Sequence, residues 1–295
     1  MKKVEFEARP RAELFVKWVM FTASILGMAI LSAFYPTSAN VILIVIPSIY
    51  VIIFARPVFF EKMKLTTLVV MRILIVLAAL RVFNPQIYVD LILLMLIINI
   101  LEATLTDIVK YKRYYQGVSG IFLALGVIAL KGSWAYDAFI GNYYITYGGP
   151  GLANPNVATL IILFYAIAYT IWNWIFVTNE FSDSVSLMHV GFLLAPLIGG
   201  VCTLGLGWFG GLNMWLLLRA NTLSIGGWLQ ILAKGWFEKE FKSPNFSTFV
   251  KWTKKTGPQI VFMIINVSLI IACLVLSGMN NGIGFTPVPF AAPII

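Results

Sequence analysis

The chain is a succession of long apolar runs broken by short polar joints. The runs occupy residues 15–35, 38–55, 66–84, 87–108, 115–131, 157–179, 185–207, 212–233 and 259–278. A helix needs about 20 mainly apolar residues to cross the hydrocarbon core of a bilayer. Most of the runs meet that length, while 38–55 and 115–131 are short enough to leave a full crossing open. The pattern predicts an all-α, polytopic helical membrane protein with about nine transmembrane helices. These form a single domain over 15–278, between a basic N-terminal segment (1–14) and an apolar, proline-rich tail (279–295). The first run is too long for a secretory signal, and no small-residue cleavage site follows it, so it is read as a retained span.

Composition strengthens this reading. Hydrophobic residues make up 60% of the chain and charged residues 11%, against about 25% charged residues in ordinary soluble domains. Lys and Arg outnumber Asp and Glu by 21 to 12. With the N-terminus inside, Lys2, Lys3, Arg9, Arg11, Lys17, Arg56, Lys62, Lys64, Lys110, Lys112, Arg113, Lys234, Lys239, Lys242, Lys251, Lys254 and Lys255 all fall inside. That is 17 of the 21 basic residues. The positive-inside rule then sets the N-terminus inside and the C-terminus outside, in an inner (cytoplasmic) cell membrane. The basic excess is matched to anionic lipids of the inner leaflet and not to nucleic acid.

Two connections are long. The outer one (132–156) is rich in tyrosine and reads either as an interfacial loop held by aromatic anchors or as a lid. The inner one (234–258) interleaves Lys with Phe and Trp, as suits a segment lying on an anionic leaflet. Cys202 and Cys273 sit in apolar runs and read as small buried hydrophobes. One histidine excludes the usual His/Cys zinc cluster. No phosphate loop, HExxH or GxSxG motif is present, and no cofactor or metal is expected.

Ionisable groups inside spans are costly and mark candidate functional positions. Folding the third and fourth runs about Pro85 sets Arg81 level with Asp90, and Arg72 level with Asn99, one turn from Glu102. An Arg72–Glu102 ion pair is therefore expected. In the sixth run Tyr165, Tyr169 and Asn173 follow at four-residue spacing, continued by Glu180, with Trp172 and Trp174 beside them. His189 opens the seventh run, where Pro196, Gly199 and Gly200 favour close packing. In the eighth, Arg219, Thr222, Gly226 and Gln230 share a face. By depth Arg219 lies far from Glu102, and an interior arginine without a partner suits an anionic ligand.

Four stretches, "INILEATLTD" (98–107), "GVSGIFLAL" (117–125), "YAIAYTIWNWIFV" (165–177) and "LLLRANTLSIG" (218–226), occur in an order that resembles a family of bacterial multi-pass membrane proteins called domain of unknown function 5692. The resemblance covers roughly 70–235 and runs through Asn99, Glu102, Asp107, Tyr169, Trp172, Asn173, Arg219 and Thr222. It implies a helical membrane fold and brings no activity with it.

The expected function is a transporter or binding protein for a small polar or anionic solute, its site lined by Arg72, Asn99, Glu102, Tyr169, Trp172, Asn173, His189, Arg219 and Thr222 in the inner half of the bilayer. Two alternatives stand beside it. One is a membrane enzyme acting on a lipid or isoprenoid through Glu102 or His189, against which stands the missing nucleophile or metal constellation. The other is a non-catalytic scaffold or sensor whose polar groups lock helices together.

Overall fold

The computed structural model describes residues 10–55, 57–80, 82, 85–137, 142–147 and 154–284. Arg81 and most of the C-terminal tail lie outside the described residues. Each apolar run is helical over most of its length. In chain order the helices are α1 (Arg11–Phe34), α2 (Ser38–Asn40), α3 (Ile46–Phe54), α4 (Phe59–Ala79), α5 (Pro85–Leu105) and α6 (Tyr114–Gly126). After them come α7 (Pro155–Glu180), α8 (Asp183–Cys202), α9 (Trp215–Leu232), α10 (Lys234–Glu240), α11 (Pro244–Thr253) and α12 (Thr256–Asn280). Wide π turns join α2 to α3 (Val41–Val45) and extend α5 (Thr106–Lys110).

Among the described residues five helices are long and apolar enough to cross a membrane: Arg11–Phe34, Val89–Lys110, Pro155–Glu180, Asp183–Cys202 and Thr256–Asn280. Ser38–Phe54 and Tyr114–Ala129 are apolar but shorter. α4 and α9 are interrupted by charge, at Glu61, Lys62, Lys64 and Arg72 in one and at Arg219 in the other. Helix starts are set by local chemistry. Asn154 Oδ1 accepts from the Val157 amide at 3.2 Å ahead of Pro155 at the first position of α7.

Large apolar side chains point outward along α1 and α12, among them Phe15, Met20, Ile264 and Val275. Polar ones point in: Arg72, Asn99, Asn173, Arg219, Asn221, Thr222 and Ser224 are all buried. This reverses the soluble pattern and suits a bundle solvated by lipid. α9 is the central element, contacted by α1, α3, α4, α7 and α8. Its residues from Trp215 to Gly226 are buried nearly all round, so each of its polar side chains needs a partner within the protein.

The fold departs from an all-α reading in one place. Within 132–156, β1 (Gly132–Asp137) and β2 (Asn142–Tyr147) pair antiparallel, Gly132 opposite Tyr147 and Asp137 opposite Asn142. The hairpin sits against α5, α9 and α1. A Cβ at Gly132 would stand 2.7 Å from a Val89 methyl and 2.8 Å from the Tyr147 ring, so the close approach of strand to helix requires glycine there. Tyr147 is 2% exposed. Its burial pushes the phenol pKa up, a shift opposed by the Arg72 charge.

The opposite end of the bundle carries most of the basic residues. There the 234–258 connection folds into α10 and the amphipathic α11. α10 is tied to α1 by Lys17, whose Nζ lies 2.5 Å from Glu240 and 2.7 Å from Glu13. The bundle thus has a hairpin end and a basic end.

Candidate functional site

Arg219 stands in the second turn of α9 and is 2% exposed. Its Nη1 donates to Thr222 Oγ1 at 3.0 Å and its Nη2 to Asn173 Oδ1 at 3.3 Å. Its guanidinium carbon lies 5.4 Å from the centre of the Tyr169 ring. Among the described residues Arg219 Nε has no hydrogen-bond partner and no carboxylate pairs with the group, so there the cation is held by neutral dipoles and one aromatic face.

The α7 face that meets it follows from four-residue spacing. Tyr165, Tyr169 and Asn173 are all buried. Trp215 of α9 wedges edge-on against both tyrosines, with ring centres 6.4 and 5.7 Å away. Trp172 is 2% exposed and packs between Tyr169 and Phe176. Its carbonyl accepts from Gln116 Nε2 at 2.8 Å. A Cβ at Gly120 would collide with the Thr104 hydroxyl and stand 2.9 Å from Trp172 Nε1, so α6 approaches this wall through a glycine.

Arg72 is also buried, but it does not pair with Glu102 as expected. Its Nη1 donates to Asn221 Oδ1 and its Nε to Ser224 Oγ at 2.9 Å, both on α9. Asn221 Nδ2 in turn donates to the Ala29 carbonyl of α1 at 2.8 Å. Arg72 thus clamps α4, α9 and α1 together. Glu102 Oε1 instead receives the Thr67 hydroxyl at 3.3 Å. Thr67 and Arg72 are five residues apart, hence about 7.5 Å along the helix and about 140° around it. The α4–α5 hairpin keeps the expected level, but Arg72 faces the other way.

Two internal spaces meet near Arg219. Towards the hairpin end is a closed apolar space of about 20 Å³, room for a single water, bordered by Asn99, Tyr147, Tyr169 and Arg219 among leucines and isoleucines. Towards the basic end a vestibule of about 280 Å³ opens, lined by Lys64, Asn173, Glu180, His189, Gln230 and Lys234 among others. Leu68 and Leu223 line both spaces and form the partition between them. The Asn173–Arg219 bond spans it, because Asn173 lines the vestibule and Arg219 the closed space.

The vestibule is mixed in charge, with Lys64, Lys110 and Lys234 against Glu61 and Glu180. Lys64 Nζ lies 4.7 Å from the centre of the Phe176 ring. Glu180 receives the Tyr111 hydroxyl at 2.9 Å, and Arg113 reaches Asp107 at 3.1 Å. His189 Nε2 lies 2.7 Å from Gln230 Oε1, and its ring stacks on Phe181 at 5.1 Å.

Of the residues singled out in the sequence, Tyr169, Asn173, Arg219 and Thr222 form one connected group. Asn99 borders the same closed space, and His189 lies in the vestibule. Trp172 buttresses the group, while Arg72 and Glu102 belong to separate interactions. Sequence reasoning passed over Asn221 and Ser224, which lie two and five residues beyond Arg219 on the buried central helix. It also passed over Lys64, read there only as an orienting charge, and Tyr147, hidden in an aromatic loop.

Among the described residues no group of three or more His, Cys, Asp and Glu is arranged to hold a metal ion. Compared with models of known protein families, with curated proteins and with solved structures, the chain finds no match.

Proposed function

We propose that this protein is a nine-span membrane transporter or binding protein for a small anionic solute, taken up from the basic, cytoplasmic end. The observation that carries the reading is Arg219. An arginine within a membrane span is costly, up to about 2.5–3.5 kcal/mol at the helix centre on insertion scales, and this one faces no carboxylate among the described residues. Its partner Asn173 lines an open vestibule whose wall bears lysines. A carboxylate or phosphate passing the Leu68–Leu223 partition would meet the free Nε side of a planar fork suited to two oxygens.

Arg72 favours a different role. Its three-helix clamp supports a structural assignment for that residue, in keeping with a scaffold function for part of the polar interior.

The test is thermal unfolding of the detergent-solubilised full chain against a panel of small carboxylates, phosphates and zwitterions. One anion class is expected to raise the melting temperature of the wild type and not that of Asn173→Ala or Arg219→Gln. If no anion distinguishes wild type from both variants, the reading is lost.

A further inference from the structure

A third space lies apart from the solute path. It is a groove of about 740 Å³ on the flank of the bundle near the basic end. Its walls are apolar and come from four helices: Leu14 and Trp18 of α1, Trp174 of α7, Val190 and Leu194 of α8, and Phe249 of α11. Arg11, Ser243 and Asn245 supply its polar side, with Thr170 deeper on α7, and no acidic residue among the described ones lines it.

Two observations point to an occupant. With its amide oxygen turned toward α1, Asn245 accepts from Arg11 Nη2 and Nε at 2.9 and 3.2 Å, which fixes an exposed guanidinium beside the groove. The second is charge: among the described residues Arg11 is the one ionisable side chain lining the groove, whose aromatic wall is built by Trp174 packed against Phe249 and Phe246.

We propose that this groove is a specific site for one anionic glycerophospholipid of the leaflet at the basic end. An acyl chain lies along Leu14, Val190 and Leu194, and a headgroup phosphate meets Arg11. The amphipathic α11 closes over the chain from the interfacial side, its flanking Lys242, Lys251, Lys254 and Lys255 adding positive field. The ligand chemistry is read from the groove: a long apolar body and one anionic centre.

The experiment uses the full chain, delipidated in a maltoside detergent and titrated with phosphatidylglycerol or phosphatidylcholine, with bound lipid counted by native mass spectrometry. The wild type is expected to hold one phosphatidylglycerol about tenfold more tightly than phosphatidylcholine, as one charge-assisted contact implies. Arg11→Gln, at an exposed position, should bring the two lipids level. Val190→Trp should fill the groove and remove the tight site for both. Equal retention of the two lipids by the wild type would mean annular lipid only and would overturn the proposal. So would undiminished phosphatidylglycerol binding in Arg11→Gln, which keeps the test decisive if Val190→Trp does not fold. Inorganic phosphate is added alone as a control, and a melting shift from it equal to that from phosphatidylglycerol would also overturn the proposal. None of these outcomes depends on the solute site, which the variants leave intact.

Discussion

Arg219 Nη2 donates to Asn173 Oδ1 at 3.3 Å, so one bond between α9 and α7 stands where the closed space and the vestibule meet. If this is the point of anion capture, the planar fork matters and not only the charge. Arg219→Lys keeps a cation but cannot contact Asn173, Thr222 and a ligand at once. We expect it to lose about tenfold or more in anion affinity while the protein remains folded. Isothermal titration with the anion that stabilises the wild type checks this.

The clamp at Arg72 predicts an asymmetry. Asn221→Leu leaves a buried guanidinium short of an acceptor and frees the Ala29 carbonyl, at a cost of about 1–3 kcal/mol. Arg72→Met removes the charge itself and should cost less, because a buried charge replaced by a packed apolar group is often near neutral. The double variant should recover part of the Asn221→Leu loss. Unfolding titrations in mixed micelles measure all three. If Arg72→Met proves much the worse single variant, Arg72 does more than hold helices.

The close approach of α6 to the Trp172 wall is also testable. Gly120→Ala sets a methyl against the Thr104 hydroxyl and Trp172 Nε1, and overpacking of this kind costs about 1–3 kcal/mol. Adding Thr104→Ala should restore part of the stability. A thermal melt of the single and double variants is sufficient.

The partition at Leu68 and Leu223 predicts a sharp change in water access. On a background with Cys202 and Cys273 replaced by serine, Gln230→Cys in the vestibule should react quickly with a membrane-impermeant thiol reagent applied to the basic side. Leu93→Cys, beside the closed space, should be protected. Applying the reagent to intact cells and to inverted vesicles also tests which end faces the cytoplasm. Fast labelling of Gln230→Cys in intact cells would reverse the proposed orientation.

Helix positions were open to reading because each apolar run is long and bounded by charge, Gly or Pro. α7 illustrates this: a run expected over 157–179 folds as Pro155–Glu180. Depth was legible too. Folding about Pro85 sets Arg72 level with Asn99, and the observed Thr67–Glu102 bond lies within two residues of that register. The direction each side chain faces was not legible around α4 and α5. Apolar residues surround these helices on most sides, so periodicity does not single out an inward face. On α7 and α9 the polar residues recur every three or four positions, and there the grouping of Tyr169, Asn173, Arg219 and Thr222 could be read. The hairpin was hidden because an aromatic loop at an interface and a strand pair have the same composition.

Among the described residues the hairpin's ladder runs between its own two strands. Tyr147 ends the second strand buried against the closed space, and burying a large side chain is worth about 1.5–3 kcal/mol. In the proposed transporter, freeing that one ring would be a step of the size that one bound anion can supply.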